Sequence, residues 1–253
     1  MKTLWTFGCS FTAEYYPVDH KFIRSHYDDY KDWRGGTLPD VWPTLLGKKL
    51  NLEVKNMAFG GDSNYSIFDQ FLNVVDLIRE GDMVIFGWTH VVRFQAANPD
   101  SRNGFNQILP SITDYPETGL SIKTVEEILV NRSNSIWIKE VLNWIKFINL
   151  YMEKSKINIF HWTSDTDIFN KDSDFIDDKR FIVVKDENQP NMILGYLSEP
   201  MFHNNTRVAK IIEETNGEVS DCHFGEYGHK VQSKYFYEHI INNLQYKIDE
   251  NRG

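Results

Sequence analysis

The first part of the chain with groups that could react is the segment GCSFT at residues 8–12. It follows Thr3–Phe7, five mostly apolar or β-prone residues that predict a buried strand. A strand that runs into a small residue and two hydroxyls forms either a plain turn or a tip that presents a nucleophile. A serine such as Ser10 attacks only when a base within hydrogen-bond reach takes its proton. The choice between these interpretations therefore depends on which other polar groups reach the same place.

Three more segments rich in glycine and polar residues lie at the ends of predicted elements: NMAFGGDS at 56–63, GWTH at 87–90 and DCHF at 221–224. The first two lie at the ends of the predicted strands 52–59 and 83–88, and the third precedes a predicted helix. In parallel α/β sheets the working groups lie beyond the carboxyl ends of the strands. We therefore expect these segments to meet Ser10 at one edge of a sheet.

Strands and helices alternate along the chain, which predicts a parallel sheet with helices on both faces. The continuous apolar run 83–88 is typical of a strand that is buried on both faces. The predicted strands are 3–7, 52–59, 83–88, 157–162 and 181–184, and the predicted helices are 42–50, 64–79, 135–154, 205–215 and 226–248, with a short one near 125–129. The prediction is a single α/β domain over 1–253 with three α/β/α layers, a parallel, flavodoxin-like sheet, and irregular insertions near 13–41, 95–134 and 185–204.

Composition and charge argue against several classes of protein. A chain of 253 residues with 41% hydrophobic and 25% charged residues is typical of a globular protein. The formal net charge of −9 argues against general binding to nucleic acid or anionic membranes, because both require an excess of Lys and Arg. The sequence shows no secretory leader and no apolar run of membrane-spanning length, so we expect a cytoplasmic protein. Neither Cys9 and Cys222 nor the acidic run 165–178 has a metal-ligand spacing.

Taken in order, the four segments resemble the motif blocks of the SGNH, or GDSL-like, hydrolase superfamily, whose members include esterases, lipases and carbohydrate esterases. The resemblance covers the whole chain in motif order. It implies a serine esterase that works through an acyl-enzyme and needs neither a metal nor an organic cofactor. The pair GCSFT and GWT is also similar to GDSL-like proteins of bacteriophages, which would place the protein in a host cytoplasm or a virion.

The resemblance implies a role for each of five residues. Ser10 takes the place of the nucleophile, His223 that of the general base, and Asp221 that of the acid that orients the imidazole. The oxyanion hole would be formed by the backbone N–H groups of Ser10 and Gly61. The Thr89 hydroxyl would be its third donor.

Three positions depart from the pattern of the superfamily. Cys9 stands where an aspartate usually precedes the serine, and Thr89 stands where the oxyanion hole usually has an asparagine. A threonine hydroxyl donates one hydrogen bond, with a shorter reach than an amide. The last block has one residue, rather than two, between its acid and its base. A backbone carbonyl, Asp165 or Asp167 could therefore orient the imidazole in place of Asp221.

The expected ligand is a small-molecule or carbohydrate ester, and the sequence does not predict an oligomeric state. Small acyl groups, such as O-acetyl groups on sugars, are expected because the sequence contains no long apolar lid. Candidate substrate contacts come from His90, Trp88 and Asn64, which lie at the predicted strand tips. For His90, packing is an equal alternative.

Other interpretations of the same residues stay open. Ser10 could be a simple turn hydroxyl, and Cys9 could act as a thiol nucleophile, because a cysteine beside a histidine can ionise. The departures in the third and last blocks also fit an SGNH-fold binding module with little turnover, for example one that is associated with a virion. A nucleotide-binding protein is disfavoured because GCSFT lacks the glycines and the lysine of a P-loop.

Overall fold

The computed structural model describes residues 2–14, 40–91, 93–97, 105–108, 123–124, 127–128, 134–163, 179–182, 185–186, 189–193 and 226–250. Two of the candidate residues, Asp221 and His223, lie outside these ranges. The acidic run 165–178, the predicted helix 205–215 and residues 15–39 of the first predicted insertion lie outside them as well.

The described elements begin with three strands that alternate with helices. In chain order the elements are β1 (Thr3–Gly8), α1 (Trp42–Leu50), β2 (Glu53–Asn56), α2 (Asn64–Val74), β3 (Met83–Trp88), β4 (Phe94–Ala97), β5 (Phe105–Ile108), α3 (Asn134–Lys154), β6 (Asn158–Thr163), β7 (Lys185–Asp186), β8 (Gln189–Ile193) and α4 (Glu226–Glu250). A 3-10 turn, Val75–Leu77, follows α2. No helix within the described ranges combines the length and the apolar character that crossing a membrane requires.

Four of these strands form a parallel sheet in the order β2-β1-β3-β6. Phe181 makes a further parallel bridge to His161 of β6. This is the strand order of flavodoxin-like sheets, in which the order reverses between the first and third strands. The predicted α/β fold with a parallel sheet is confirmed, and the point of reversal lies between β1 and β3.

Helices pack on both faces of the sheet, because side chains alternate between the two faces along each strand. On one face, α2 and α3 cover an apolar cluster that includes Trp5, Phe7, Phe71, Val84, Phe86, Val141 and Ile145. On the other face, α1 and α4 cover a cluster that includes Leu4, Trp42, Leu46, Ile85, Phe160, Phe236 and Ile240. All residues of β1 and β3 are buried, which fits the continuous apolar run of β3 and the two threonines, Thr3 and Thr6, that are the polar residues of β1.

Two elements on the sheet end earlier than the sequence predicts. The helix α2 stops at Val74 rather than at residue 79, and the 3-10 turn brings the Arg79 N–H within 3.0 Å of Asp82 Oδ2. The strand β2 ends at Asn56 rather than at residue 59. The chain that follows it still pairs loosely with β1, since the Met57 N–H donates to the Thr6 carbonyl at 2.8 Å.

The predicted insertions contain regular structure that the sequence analysis missed. In the stretch 95–134, β4 and β5 form an antiparallel hairpin. In the stretch 185–204, β7 and β8 form a second, irregular one. Both hairpins lack a clear alternation of apolar and polar residues, and strand formation depends strongly on the partner strand, which one stretch of sequence does not reveal.

Two glycines lie side by side where β1 and β3 end. Gly8 is aligned with Gly87 in the parallel register. A Cβ atom on Gly87 would lie 2.7 Å from Trp162 Nε1 and 2.8 Å from Thr12 Oγ1. A Cβ atom on Gly8 would likewise collide with the Thr12 side chain. The Thr12 side chain, in the turn after β1, therefore packs directly on the backbone of Gly8 and Gly87. A methyl group on either glycine would overlap with this side chain.

Gly87→Ala is expected to destabilise the protein by about 1–3 kcal/mol, because the added methyl group overpacks a closed contact. The free energy of unfolding, measured in urea, checks this expectation. Gly60→Ala is the matched control, since its new Cβ atom would have one neighbour, Ser10 Cβ, at 4.0 Å. We expect the control to change the stability by less than about 0.5 kcal/mol. Equal effects of the two substitutions would contradict the packing argument.

Candidate functional site

Ser10 lies in a tight turn directly beyond the carboxyl end of β1. The N–H groups of Thr12 and Ala13 both donate to the Cys9 carbonyl, at 2.8 and 3.0 Å. The turn buries Cys9 and Phe11, while Ser10 between them stays half-exposed. Within the described residues, neither the N–H nor the hydroxyl of Ser10 forms a hydrogen bond. Ser10 therefore offers both a hydroxyl and a backbone donor to an incoming group.

Asn56, the last residue of β2, holds this turn in place. Its Nδ2 donates to the Thr12 carbonyl at 2.7 Å. Its Oδ1 accepts from Thr6 Oγ1 at 2.9 Å and from the Ala58 N–H at 3.2 Å. One carboxamide thereby links β1, the Ser10 turn and the segment after β2. Asn56 lies in the second segment, NMAFGGDS, whose sequence does not indicate this positioning role.

The second segment forms a loop that lies beside Ser10. A Cβ atom on Gly60 would be 4.0 Å from Ser10 Cβ, so the two backbones are close neighbours. Gly61 has a φ of 84°, which a residue with a side chain rarely adopts. Gly60 and Gly61 are exposed, and the Gly61 N–H forms no hydrogen bond within the described part of the chain. The loop enters α2 through Ser63, whose Oγ caps the helix by accepting from the Ser66 N–H at 3.3 Å.

Asn64, at the start of α2, holds the third segment in place. Its Nδ2 donates to the Thr89 carbonyl at 2.9 Å, and its Oδ1 accepts from the Thr89 N–H at 2.7 Å. Both residues are buried. The Asn64 carboxamide thus hydrogen-bonds both the N–H and the carbonyl of Thr89, as the backbone of a neighbouring strand would, and fixes the orientation of the Thr89 backbone. The structure thus places Asn64, a candidate for substrate contact, as a brace for the tip of β3.

The Thr89 hydroxyl, the expected third oxyanion donor, is buried next to this brace. Its Oγ1 has no hydrogen-bond partner within the described residues. A buried polar group without a partner costs about 1–3 kcal/mol. The hydroxyl would therefore gain from an incoming acceptor, although a substrate reaches it only if the tip of β3 opens.

Trp88 and His90, the other two candidates for substrate contact, have different surroundings. Trp88 is buried, its indole stacks on Phe86 with ring centroids 5.3 Å apart, and its Nε1 donates to His161 Nδ1 at 3.2 Å. His90 is half-buried beyond the strand end, and its carbonyl accepts from the Arg93 N–H at 3.1 Å. The structure thus places Trp88 in the core and His90 at the edge where the segments meet.

The structure brings three of the four segments to one edge of the sheet. The pairing of β1 with β2 and β3 sets the Ser10 turn between the other two tips. The fourth segment, with Asp221 and His223, lies outside the described residues. The three described segments combine a half-exposed hydroxyl with two backbone N–H groups, those of Ser10 and Gly61, that form no hydrogen bond within the described residues.

Glu14, which the sequence analysis did not single out, directly follows the Ser10 turn. Its Oε1 accepts from Thr44 Oγ1 at 2.9 Å. Burial raises the pKa of the Glu14 carboxyl, hydrogen bonds from Thr44 and Asn56 oppose that shift, and the nearby Asp40 carboxylate adds to it. The net result is a raised pKa, so the folded protein binds the Glu14 proton more tightly than the unfolded chain does.

Glu14→Gln is expected to have a higher melting temperature than the wild type, and this difference should be larger at about pH 7 than at about pH 4. The folded state of the wild type binds the Glu14 proton more tightly than the unfolded state does. The resulting stability is fully present below the unfolded pKa and is lost as the pH rises through the folded pKa. Glutamine stays neutral throughout, so thermal unfolding at the two pH values isolates the effect.

Glu53→Gln is the control for this measurement, because Glu53 is an exposed residue of β2. Its effect on the melting temperature should be small at both pH values. A change for Glu14→Gln that is the same at both pH values would contradict a raised pKa.

Comparison with known proteins gives distant likenesses. No protein-family model and no curated protein matches the chain. A solved structure of a protein from Desulfitobacterium hafniense DCB-2, provisionally described as a lipolytic protein of the G-D-S-L family, has a TM-score of 0.47 and 13% identity, over 94% of this chain and 99% of that one. The protein YXIM from Bacillus subtilis has a TM-score of 0.35 and 14% identity, over 94% of this chain and 46% of that one. At these scores neither likeness supports an assignment of the chemistry.

Proposed function

We propose that this protein is a serine ester hydrolase of the SGNH type that cleaves small acyl esters, with O-acetyl groups on carbohydrate as the expected substrates. The observation that supports this most directly is the half-exposed Ser10 hydroxyl, which lies next to the backbone of Gly60. The N–H groups of Ser10 and Gly61 form no hydrogen bond within the described residues. The motif resemblance supplies the reaction type and the roles of the residues in the fourth segment.

In the proposed reaction, Ser10 Oγ attacks the acyl carbon of the ester while His223 takes the hydroxyl proton. Asp221 holds the imidazole in the productive tautomer. The negative charge moves to the former carbonyl oxygen, which accepts hydrogen bonds from the N–H groups of Ser10 and Gly61. The Thr89 hydroxyl is buried, so it becomes a third donor only when the tip of β3 opens.

Collapse of this intermediate breaks the ester bond and completes the first half of the reaction. His223 returns its proton to the leaving alcohol, and the acyl group stays on Ser10. Water then attacks the acyl-enzyme, with His223 again as the base, and releases the acid. Atoms and charge balance without an added cofactor.

Two measurements on the wild-type protein test the proposal together. The first is turnover of 4-nitrophenyl acetate, followed by release of nitrophenolate. The second is covalent labelling with a fluorophosphonate, followed by peptide mass spectrometry. We expect turnover, and a single label on the peptide that carries Ser10. A folded protein that neither turns over the ester nor reacts with the fluorophosphonate would overturn the proposal.

A second candidate function is an SGNH-fold binding module, and one observation favours it. The side-chain hydroxyl of Thr89 is buried, so the expected third oxyanion donor is closed to a substrate in this conformation. The backbone N–H of Thr89 already donates to Asn64 Oδ1 and offers no substitute. Failure of both measurements above would support this alternative.

A further inference from the structure

A pocket of about 610 Å³ lies beside the candidate site, between the start of α2, the chain that follows β3, and the first half of α3. This volume is within the range of small-molecule sites. Most of its wall is apolar or aromatic and includes the rings of Tyr65, Trp137 and Trp144, while Arg93 and Glu140 are its charged residues. The pocket thus combines aromatic rings with very few charged groups.

The guanidinium of Arg93 is the cationic group in the lining. Its single hydrogen bond within the described residues runs from Nη1 to the Asp62 carbonyl at 3.4 Å, the long end of the range. Its Nε is buried and has no partner there. No carboxylate of the described residues pairs with it.

Such a guanidinium is unusual, because half-buried cations in proteins normally pair with carboxylates or bond to several carbonyls. Arginine has five N–H donors in a planar fork that matches a carboxylate or a phosphate. Within the described part of the chain, most of these donors have no partner. An oxyanion from a ligand would satisfy them, whereas a purely apolar ligand would desolvate them without compensation.

The pocket is joined to the candidate site by two of its own lining residues. Arg93 donates to the carbonyl of Asp62, which immediately follows Gly61, and Asn64 holds the backbone of Thr89. A group bound in the pocket would therefore sit next to the loop that carries the Gly61 donor.

We propose that this pocket binds an anionic group, a carboxylate or a phosphate, on the ring that forms the alcohol part of the ester substrate. The proposal rests on the hydrolase function proposed above and narrows its substrate class to esters of acidic, ring-shaped alcohols such as acidic sugars. Arg93 binds the anion, and the rings of Tyr65 and Trp144 pack against the body of the ligand.

The test measures binding of four unreactive probes to the wild-type protein by tryptophan fluorescence and calorimetry, at constant ionic strength. The probes are glucuronate, glucose 6-phosphate, glucose and benzoate. We expect at least one of the two anionic sugars to bind about tenfold or more tightly than glucose, because charge-assisted hydrogen bonds are the strong ones. Glucuronate and glucose 6-phosphate distinguish a carboxylate from a phosphate, and benzoate tests whether an anion on any ring suffices.

Arg93→Gln should bring the affinity for the anionic sugars down to that for glucose. Arg79→Gln is the matched control, because it removes the same charge at an exposed position and should leave the preference unchanged. If Arg93→Gln fails to fold, Arg93→Lys keeps the charge without the fork and should lower the preference in part.

The binding experiment tests the pocket assignment, and the turnover and labelling experiments test the hydrolase function, so each proposal can fail without the other. Equal binding of glucuronate, glucose 6-phosphate and glucose, or no binding of any of the three, would overturn the pocket assignment even if 4-nitrophenyl acetate is hydrolysed. A preference for anions that depends on Arg93 would support the pocket even if turnover and fluorophosphonate labelling are absent. A preference that survives Arg93→Gln would also overturn it.

Discussion

Ser10→Ala is expected to lower kcat for 4-nitrophenyl acetate by about 10⁴-fold or more, since loss of the nucleophile leaves only binding and oxyanion stabilisation. The stability should barely change, because the side chain is half-exposed and its hydroxyl forms no hydrogen bond within the described residues. Steady-state kinetics and thermal unfolding of the same preparation check both parts of the prediction.

Cys9→Ala is the matched control, because it removes a reactive atom from the adjacent residue. Cys9 is 2% exposed and packs in the apolar cluster under α1 and α4. We therefore expect a small loss of stability and a change in kcat of less than about tenfold. The reverse pattern, with activity lost in Cys9→Ala and kept in Ser10→Ala, would show that the thiol is the nucleophile.

Asp82→Ala is expected to destabilise the protein by about 3–5 kcal/mol, and to lower its melting temperature by roughly 10 °C. The Asp82 carboxylate is 5% exposed and accepts three hydrogen bonds. They come from the Thr3 N–H at 2.9 Å, from Trp5 Nε1 at 3.1 Å and from the Arg79 N–H at 3.0 Å. The substitution leaves these donors without a partner at the end of the sheet opposite Ser10. Urea unfolding with a global fit checks the value.

Two further variants separate this effect from a general effect of lost charge. Asp69→Ala removes a carboxylate from the exposed face of α2, where it accepts one hydrogen bond, from Asn73. It should change the stability by less than about 0.5 kcal/mol. Asp82→Asn keeps an acceptor oxygen and should fall between the two. A loss for Asp82→Ala below about 1 kcal/mol would contradict the proposed role of this carboxylate.

The sheet and the helices beside it were largely predictable from local sequence. The strand β3 and the helix α1 have the predicted bounds, 83–88 and 42–50. A continuous apolar run predicts a strand that is buried on both faces. Pro43 lies in the first turn of α1, and Asn51, in the left-handed region, ends the helix. The end of α2 was not predictable from local sequence. Arg79, which follows the 3-10 turn after α2, donates to Asp82, and Asp82 also accepts hydrogen bonds from the distant residues Thr3 and Trp5.

The meeting of the Ser10, Gly61 and Thr89 segments was predictable, because parallel strands end at the same edge. The contacts that hold this edge together were not. Asn56 and Asn64 act over separations of 44 and 25 residues, and nothing in their local sequence distinguishes a brace from a substrate contact. The burial of Trp88 was predictable, by contrast, because a strand that is buried on both faces buries all of its side chains.

The central place of β1 has a consequence for biosynthesis. Its two neighbours in the sheet, β2 and β3, follow it by about 50 and 80 residues. At a synthesis rate of roughly 5–20 residues per second, the β3 partner emerges about 4–16 s after β1. For that time a largely apolar strand with at least one unpaired edge is exposed on the nascent chain, and such an edge promotes aggregation. We therefore expect the yield of folded protein to depend on chaperones that bind early nascent chains more strongly than its final stability would indicate.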